Sequence, residues 1–135
     1  MYQLTQKFQF CYGHRLQHHP GKCRNLHGHT ATAEIELHYD TLQSSGMAID
    51  FFEIKSKIGE WIDRELDHQM LLFNKDPICI ELDRAKEPHH PLPCHPTAEN
   101  IARLIFEAAH AMKLPIASVT LWESDRSAAT YYRGV

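Results

Sequence analysis

The sequence lacks any long apolar run and any block of like charge. No window approaches the roughly eighteen apolar residues that cross a membrane, and the N-terminal MYQLTQKFQF has no apolar core typical of a signal peptide. We therefore expect neither membrane insertion nor secretion, but a cytoplasmic protein. The formal net charge is −3 and no run of about five like charges occurs, so the basic surface of a nucleic-acid-binding domain is not predicted.

A disulfide framework is not predicted either. The four cysteines lie in a chain without a secretion signal, where thiols are expected to stay reduced. With 135 residues, 43% of them hydrophobic, the chain is long enough to bury a core without cross-links. No repeat divides it, and we expect one domain over residues 1–135.

Strand patterns lie near both ends of the chain. Apolar and polar residues alternate cleanly over residues 28–39 and more weakly over 3–10, which predicts two antiparallel strands. Residues 116–124 and 128–133 predict two more. Residues 11–26 contain glycine and proline and are predicted to form a loop.

Two helices are predicted between the strand pairs. Asp50 and Glu53 have the spacing of a capping box, and isoleucines at helical spacing follow. Thr97 is predicted to cap a second helix, which ends before Pro115. The residues between these helices, 74–96, are rich in proline and histidine and are predicted to be a long irregular connection with at most one short turn of structure.

The predicted order of elements is ββααββ. Grouped strands and grouped helices indicate an α+β fold, with a four-stranded antiparallel sheet and both helices on one face. Such a sheet leaves one face and two edges uncovered. Association of several copies would cover them, so a homo-oligomer is expected.

Eleven histidines are the compositional anomaly, and three have an informative pattern. His27 and His29 are two residues apart at the start of the strongest strand, which places both imidazoles on its apolar face. His14 has the parity of Phe8 and Phe10, and it reaches the same side if the first strand extends that far. Three neutral imidazoles suit Zn²⁺ and leave a fourth position open. From the residues alone, however, the third ligand is a choice among eleven, and these could be ordinary histidines.

Cys23 lies four residues before His27, and the spacing leaves three roles open. As a thiolate it could be a fourth ligand in a closed structural zinc site. As a free thiol near a metal and the cations Lys22 and Arg24, it could act as a base or nucleophile. It could also be a small buried apolar residue.

A second set of candidates lies at Asp67, His68 and Glu123. Asp67 and His68 close the first predicted helix, where such a pair is often only a solvated terminus. If Asp67 orients the imidazole, His68 could instead relay a proton to or from a thiol. Glu123 has the parity of the apolar residues of its strand, so its carboxylate either needs a partner with several N–H donors or lies hydrated past the strand end.

Six segments together resemble the 6-pyruvoyl-tetrahydropterin synthase family, most closely its 6-carboxytetrahydropterin synthase branch of queuosine biosynthesis. They occur in the family's order and span nearly the whole chain: FCYGHRL at 10–16, CRNLHGH at 23–29, GMAIDF at 46–51, LDH at 66–68, PTAEN at 96–100 and WE at 122–123. Each segment is weak alone, but the set is specific.

The resemblance implies the tunnelling fold, in which ββααββ subunits form a barrel-like trimer or hexamer with active sites between subunits. It implies that His14, His27 and His29 bind Zn²⁺. It further implies that Cys23 is the catalytic base, assisted by Asp67 and His68, which the neighbouring subunit could supply.

The substrate implied by the resemblance is 7,8-dihydroneopterin triphosphate. Glu123 would bind the N–H groups of the pterin ring, and Thr97 of the PTAEN segment is the second expected substrate contact. Arg15, Lys22, Arg24 or Arg126 could meet the triphosphate on grounds of charge. In the carboxy branch, triphosphate and acetaldehyde are released and a carboxylate remains on the reduced pterin.

The chain departs from the family pattern in three places. Thr30-Ala31 follows the HGH segment, extra residues follow the Asp-His pair, and the 75–96 connection is unusual. The three-residue gap between Cys23 and His27 favours the carboxy branch. Formation of 6-pyruvoyl-tetrahydropterin and a non-catalytic zinc-stabilised binding module are the alternatives.

Overall fold

The computed structural model describes residues 1–133, which begin with a long hairpin. Strand β1 (Tyr2–His14) pairs antiparallel with β2 (His27–Tyr39). Both predicted strands are confirmed. The predicted loop over 11–26 is wrong for its first four residues, because β1 continues until His14 lies opposite His27.

The hairpin forms the middle of a six-stranded sheet of order β4-β3-β1-β2-β5-β6. Strands β5 (Ile116–Trp122) and β6 (Ala128–Tyr132) confirm two further predictions and are antiparallel to their neighbours. The four predicted strands pair antiparallel as expected, but the predicted strand number is wrong, because the sheet has two more strands and these are parallel. Strand β3 (Gln69–Phe73) runs parallel to β1, and β4 (His89–Leu92) runs parallel to β3.

The first helix covers residues 51–65 in three parts. It consists of α1 (Phe51–Ile54), a π-helical segment (Lys55–Gly59) and α2 (Glu60–Glu65). The Asp50 carboxylate accepts the Phe52 N–H at 2.9 Å, which confirms the cap. The Glu53 carboxylate pairs instead with Lys57 Nζ at 3.2 Å, so the capping box is only half formed. Gly59 lies in close contact with the sheet, where a Cβ atom would stand 2.8 Å from the Phe8 ring.

Two further helices follow. Helix α3 (Ile78–Ala85) and strand β4 lie inside the stretch predicted to be irregular, so that prediction is wrong. Helix α4 (Ala98–Ala111) is confirmed, because the Thr97 hydroxyl accepts the Asn100 N–H at 3.2 Å.

The core lies between one face of the sheet and the first helix with α4, as predicted. Many of its members are fully or nearly fully buried residues from both helices and from alternate positions of the central strands, including Phe10, Tyr12, Ala31, Ala33, Ile35, Leu37, Ile54, Ile58, Ile62, Ile101, Ile105, Phe106, Val119 and Leu121. The opposite face is polar, with Lys7 paired to Glu34 at 3.6 Å and Thr120 bonded to Thr130 at 2.7 Å. Among the described residues, no helix is long and apolar enough to cross a membrane.

Candidate metal centre and active site

Three histidines converge at the loop end of the hairpin, on the helix-covered face. His14 lies directly opposite His27 in the β1–β2 register, and His29 lies opposite Tyr12, two residues along the strands. The candidate ligand atoms of His14, His27 and His29 lie within 4.8 Å of one another. The shared face predicted from strand parity is therefore observed, and the strand extension to residue 14 brings in the third imidazole.

Backbone carbonyls fix the tautomers of two of these rings. His14 Nδ1 lies 2.7 Å from the Pro96 carbonyl oxygen, and His27 Nδ1 lies 2.7 Å from that of Asn25. Because a carbonyl only accepts, each Nδ1 carries the proton and donates it. The lone pair of each neutral ring is then at Nε2, which is how outer hydrogen bonds orient metal-binding histidines.

The donor set fits a tetrahedral metal ion. His14 Nε2 and His29 Nε2 are 3.1 Å apart, close to the separation of about 3.3 Å expected for two nitrogens bound to one Zn²⁺. Burial lowers the pKa of His14, and the neighbouring His27 and His29 lower it further. Pro96 and Glu123 oppose this, but the pKa stays lowered, so the neutral form that a metal requires is favoured.

Glu123 stands beside the three histidines. Its Oε1 accepts the Tyr12 hydroxyl at 3.1 Å and lies 3.9 Å from His14 Nε2, while Oε2 lies 4.0 Å from His29 Nε2. Glu123 therefore points to the protected face, as its strand parity predicted. Burial and the Glu123 carboxylate raise the pKa of Tyr12, so the phenol stays protonated and donates. Sequence reasoning missed Tyr12 as a site residue, although it shares the parity of Phe10 and His14.

Cys23 lies outside this cluster. It occupies a 3₁₀ turn (Lys22–Arg24) between the strands, where its carbonyl oxygen accepts the Leu16 N–H at 2.8 Å. The thiol is half-buried and is not among the ligand atoms that group around a common centre in residues 1–133. The geometry therefore provides a three-histidine set with the thiol on a neighbouring turn.

Asp67 and His68 lie at the β1 edge of the sheet, in the turn between α2 and β3. Asp67 Oδ1 accepts the Cys11 N–H at 3.0 Å, and Asp67 Oδ2 lies 2.9 Å from His68 Nδ1. Partial burial raises the pKa of Asp67, but hydrogen bonds from Cys11 and His68 outweigh this and lower the pKa overall. Within one chain this pair thus contacts Cys11, and no hydrogen bond or ion pair of the described residues joins it to Cys23.

A pocket of about 470 Å³ connects these features. It opens between the end of the hairpin and β3, with His27 and His68 both on its wall. Gly13 and Gly28 face each other across the hairpin here, and a Cβ atom on Gly13 would collide with the Met70 thioether. Two missing side chains therefore help to keep the pocket open.

Arg15, which follows His14 directly, is held by a buried ion pair with Asp76. Arg15 donates through Nε to Asp76 Oδ2 at 2.8 Å and through Nη2 to Asp76 Oδ1, and the side chain of Asp76 is 2% exposed. The expected contact between Arg15 and a triphosphate conflicts with this pairing. Asp76 also accepts the Ile78 N–H at 3.0 Å at the start of α3, so the unpredicted segment is tied to the histidine cluster. No sequence signal pointed to Asp76.

Thr97 has a structural role as the N-cap of α4. Its hydroxyl oxygen caps α4, and the preceding residue, Pro96, supplies the carbonyl that orients His14. The PTAEN segment therefore begins a helix and fixes a candidate ligand at the same point.

Comparison with known proteins agrees with this arrangement. The family model described as 6-pyruvoyl tetrahydropterin synthase matches residues 3–134. The chain is similar to the 6-carboxy-5,6,7,8-tetrahydropterin synthase of Haemophilus influenzae, at 34% identity over 97% of this chain and 99% of the relative. It is also similar to the enzyme of that name from Synechocystis, at 31% identity over 98% of this chain and 94% of the relative.

Solved structures agree on the fold. An uncharacterized protein from Wolinella succinogenes superposes with a TM-score of 0.81 at 24% identity, covering 98% of both chains. The 6-pyruvoyl tetrahydropterin synthase of Caenorhabditis elegans gives a TM-score of 0.74 at 24% identity, covering 98% of this chain and 96% of that one. The predicted tunnelling fold is confirmed at the level of fold class, with the strand number corrected as above. With its three-histidine cluster and its match to the family model, the chain belongs to the 6-pyruvoyl tetrahydropterin synthase family and is a pterin-synthase-type enzyme.

Proposed function

We propose that the chain converts 7,8-dihydroneopterin triphosphate and water into 6-carboxy-5,6,7,8-tetrahydropterin, triphosphate and acetaldehyde, in a zinc-dependent reaction. The observation that carries this proposal is the three-histidine cluster with Glu123 beside it. The names of relatives at 31% and 34% identity over nearly the whole chain support the carboxy product. Such an activity would act in the cytoplasm, in queuosine biosynthesis.

The metal would be held through the Nε2 atoms of His14, His27 and His29. When bound, Zn²⁺ supplies a Lewis acid that acidifies the hydroxyl groups of the substrate side chain. The residues of the chain then have separable tasks. Carbonyl groups behind His14 and His27 keep their rings oriented, and burial of His14 keeps bulk water from that side.

Glu123 is proposed to bind the pterin ring. Its two carboxylate oxygens match the paired N–H donors of a 2-aminopyrimidinone edge, and charge-assisted bonds of this kind are strong. The Tyr12 hydroxyl already occupies one lone pair on Oε1, which fixes the rotation of the carboxylate. The ring would thereby place its side chain toward the histidines. Thr97, half-buried next to Pro96, is proposed as a further contact through its free O–H.

Cys23 is proposed to remove the substrate proton, with Asp67 and His68 supplied by a neighbouring copy. Within one chain the Asp67–His68 pair lies at the β1 edge beside Cys11 and, among the described residues, has no bond to Cys23, which supports a shared site. The β1 edge supports association: β3 covers only residues 12–14 of that edge, and β6 ends the sheet on the other side. We propose a homotrimer or hexamer, and a monomeric mass in sedimentation at micromolar concentration would contradict it.

An acetaldehyde assay tests the reaction. The zinc-loaded protein is incubated with dihydroneopterin triphosphate, and acetaldehyde and the pterin products are quantified. Equimolar acetaldehyde and 6-carboxytetrahydropterin are expected. Turnover without acetaldehyde would indicate the 6-pyruvoyl product instead, and no turnover at all would refute the proposed enzyme.

Metal removal separates an open catalytic site from a closed structural one. Cys23→Ala should bind one zinc per chain and lose at least about 100-fold in kcat, since a positioned base contributes about that much. Cys94→Ala, at another half-buried thiol, which packs against the core and lies outside the candidate ligand groups of the described residues, is the matched control. If Cys23→Ala no longer binds zinc, or if chelation unfolds the protein, the structural-module alternative is correct.

A further inference from the structure

A second group of metal-binding side chains lies outside the histidine cluster. Cys11, Asp67 and His68 bring their ligand atoms within 4.8 Å of one another. Cys11 alternates with Phe10 and Tyr12 along β1, so its side chain is on the polar face of the sheet, away from His14. The group also lines the 470 Å³ pocket through Cys11 and His68, so a hydrated ion can reach it.

The backbone holds this group rigidly. Cys11 N–H donates to Asp67 Oδ1 at 3.0 Å, and His68 N–H donates to the Cys11 carbonyl at 2.7 Å. His68 adopts a left-handed conformation, with φ of 59°, which few non-glycine residues adopt without support from their surroundings. These bonds hold the backbone of Cys11 beside the Asp67 carboxylate and the backbone of His68 before any ion arrives.

The geometry suits replacement of a proton by a metal ion. The His68 Nδ1 proton is shared with Asp67 Oδ2 across 2.9 Å. An ion in that place needs the two atoms to open to about 3.3 Å, the separation of two ligands on tetrahedral zinc. The imidazole proton moves to Nε2, which is free because the His68 side chain is 78% exposed, and the Cys11 thiol proton is released to solvent.

The other cysteines do not offer such a site. Cys79 is buried and its Sγ lies 3.6 Å from the Phe73 carbonyl, and burial raises the pKa of both Cys79 and Cys94. Cys11 is the thiol that has an imidazole and a carboxylate within ligand distance in the described part of the chain. Thiolate, imidazole and carboxylate together favour a thiophilic divalent ion such as Zn²⁺.

We propose that Cys11, Asp67 and His68 form a second, weaker divalent-metal site, and that its occupation withdraws Asp67 and His68 from the reaction. Zinc beyond one equivalent per chain is then an inhibitor. The binding part rests on the geometry of this group alone, whereas the inhibition part rests on the proposed catalytic role of Asp67 and His68.

A cobalt titration tests the binding part. Protein holding one Co²⁺ per chain is titrated with more Co²⁺ while the near-ultraviolet thiolate-to-cobalt band is recorded. The first equivalent, on three histidines, should give no such band, and a second equivalent should bring it in with roughly tenfold weaker affinity. Cys11→Ser should abolish the band and the second equivalent, and Cys23→Ser should keep both. A stoichiometry of one in the wild type, or a band that disappears with Cys23→Ser, overturns the proposal.

Activity at rising zinc tests the inhibition part. Wild-type turnover should fall severalfold as the second equivalent binds, and Cys11→Ser should stay active over the same range. Equal inhibition of the two proteins overturns this part. Failure of the proposed reaction is separately visible, because the protein holding one zinc would then show no turnover before the second equivalent is added.

Discussion

The buried pair between Arg15 and Asp76 gives the most quantitative prediction. The Asp76→Asn variant keeps the shape of the side chain but turns one acceptor oxygen into an NH₂ donor. In one orientation that donor faces Arg15 Nε, and in the other it faces both Arg15 Nη2 and the Ile78 N–H, so at least one contact becomes donor against donor. The guanidinium, 25% exposed at the side chain, also loses its counter-charge.

The size of the effect follows from this burial. Removing one partner of a fully buried ion pair costs about 3–5 kcal/mol, and the partial exposure of Arg15 reduces this. We expect Asp76→Asn to lower the free energy of unfolding by about 2–4 kcal/mol at pH 7. Since Arg15 follows His14 directly, zinc affinity should also fall by about 10- to 100-fold, as for other changes behind a metal ligand.

The pH dependence gives the sign of the electrostatic part. The hydrogen bond from Arg15 lowers the pKa of Asp76 in the folded protein, although burial of the carboxylate acts in the opposite direction. Its stabilisation is therefore fully present above the unfolded-state pKa of about 3.9 and is lost as pH falls through the lower folded value. The difference in unfolding free energy between wild type and Asp76→Asn should shrink below about pH 4.

Urea unfolding at one fixed protein concentration, with and without zinc, measures both quantities. Glu81→Gln is the matched control, because it breaks the exposed pair with Arg84 at 3.2 Å and should cost less than about 1 kcal/mol. Asp76→Asn with the stability of this control would refute the buried-pair reasoning. Lost stability with unchanged zinc affinity would show that the pair does not position His14.

Three further changes have defined outcomes. Gly59→Ala places a methyl group 2.8 Å from the Phe8 ring. Although alanine has the better helix propensity, the variant should lose about 1–2 kcal/mol of stability and unfold at a lower thermal midpoint. An unchanged midpoint would mean that the helix shifts freely. Thr97→Ala removes the cap of α4 and should cost about 1 kcal/mol in urea unfolding, whereas Thr97→Ser should be nearly neutral. Tyr12→Phe frees the Glu123 carboxylate and, with the zinc content unchanged, should raise KM for the pterin severalfold more than it lowers kcat; a pure kcat effect would place Tyr12 in the chemistry instead.

Much of the histidine cluster could be predicted because strand parity is local information. The alternation of β2 fixes the side of His27 and His29, and a hairpin brings His14 opposite them once its length is known. The strand length was underestimated, because Gly13 reads as a turn residue in the sequence. In the structure it lies opposite Gly28, beneath the Met70 side chain, in a contact from a distant part of the chain.

The segment from β3 to β4 could not be predicted, because its structure also depends on contacts with distant parts of the chain. Strand β3 has five residues and β4 has four, including Pro91, so neither shows a period, and parallel pairing has no hairpin signal. The separation of Cys23 from the Asp67–His68 pair could not be predicted either. It depends on how α2 returns to the edge of β1, which the sequence around Asp67 does not encode.

The segment between Asp76 and Pro96 has a consequence for how this protein can change over time. It is anchored near both ends to His14 and the residue that follows it, through the bonded pairs Arg15–Asp76 and His14–Pro96. Between them the chain reverses direction at Lys86, an exposed residue with φ of 56°. Residues added or removed at that reversal leave both anchors in place. The fold therefore has a position where insertions, deletions or a tag would not move the candidate metal ligands.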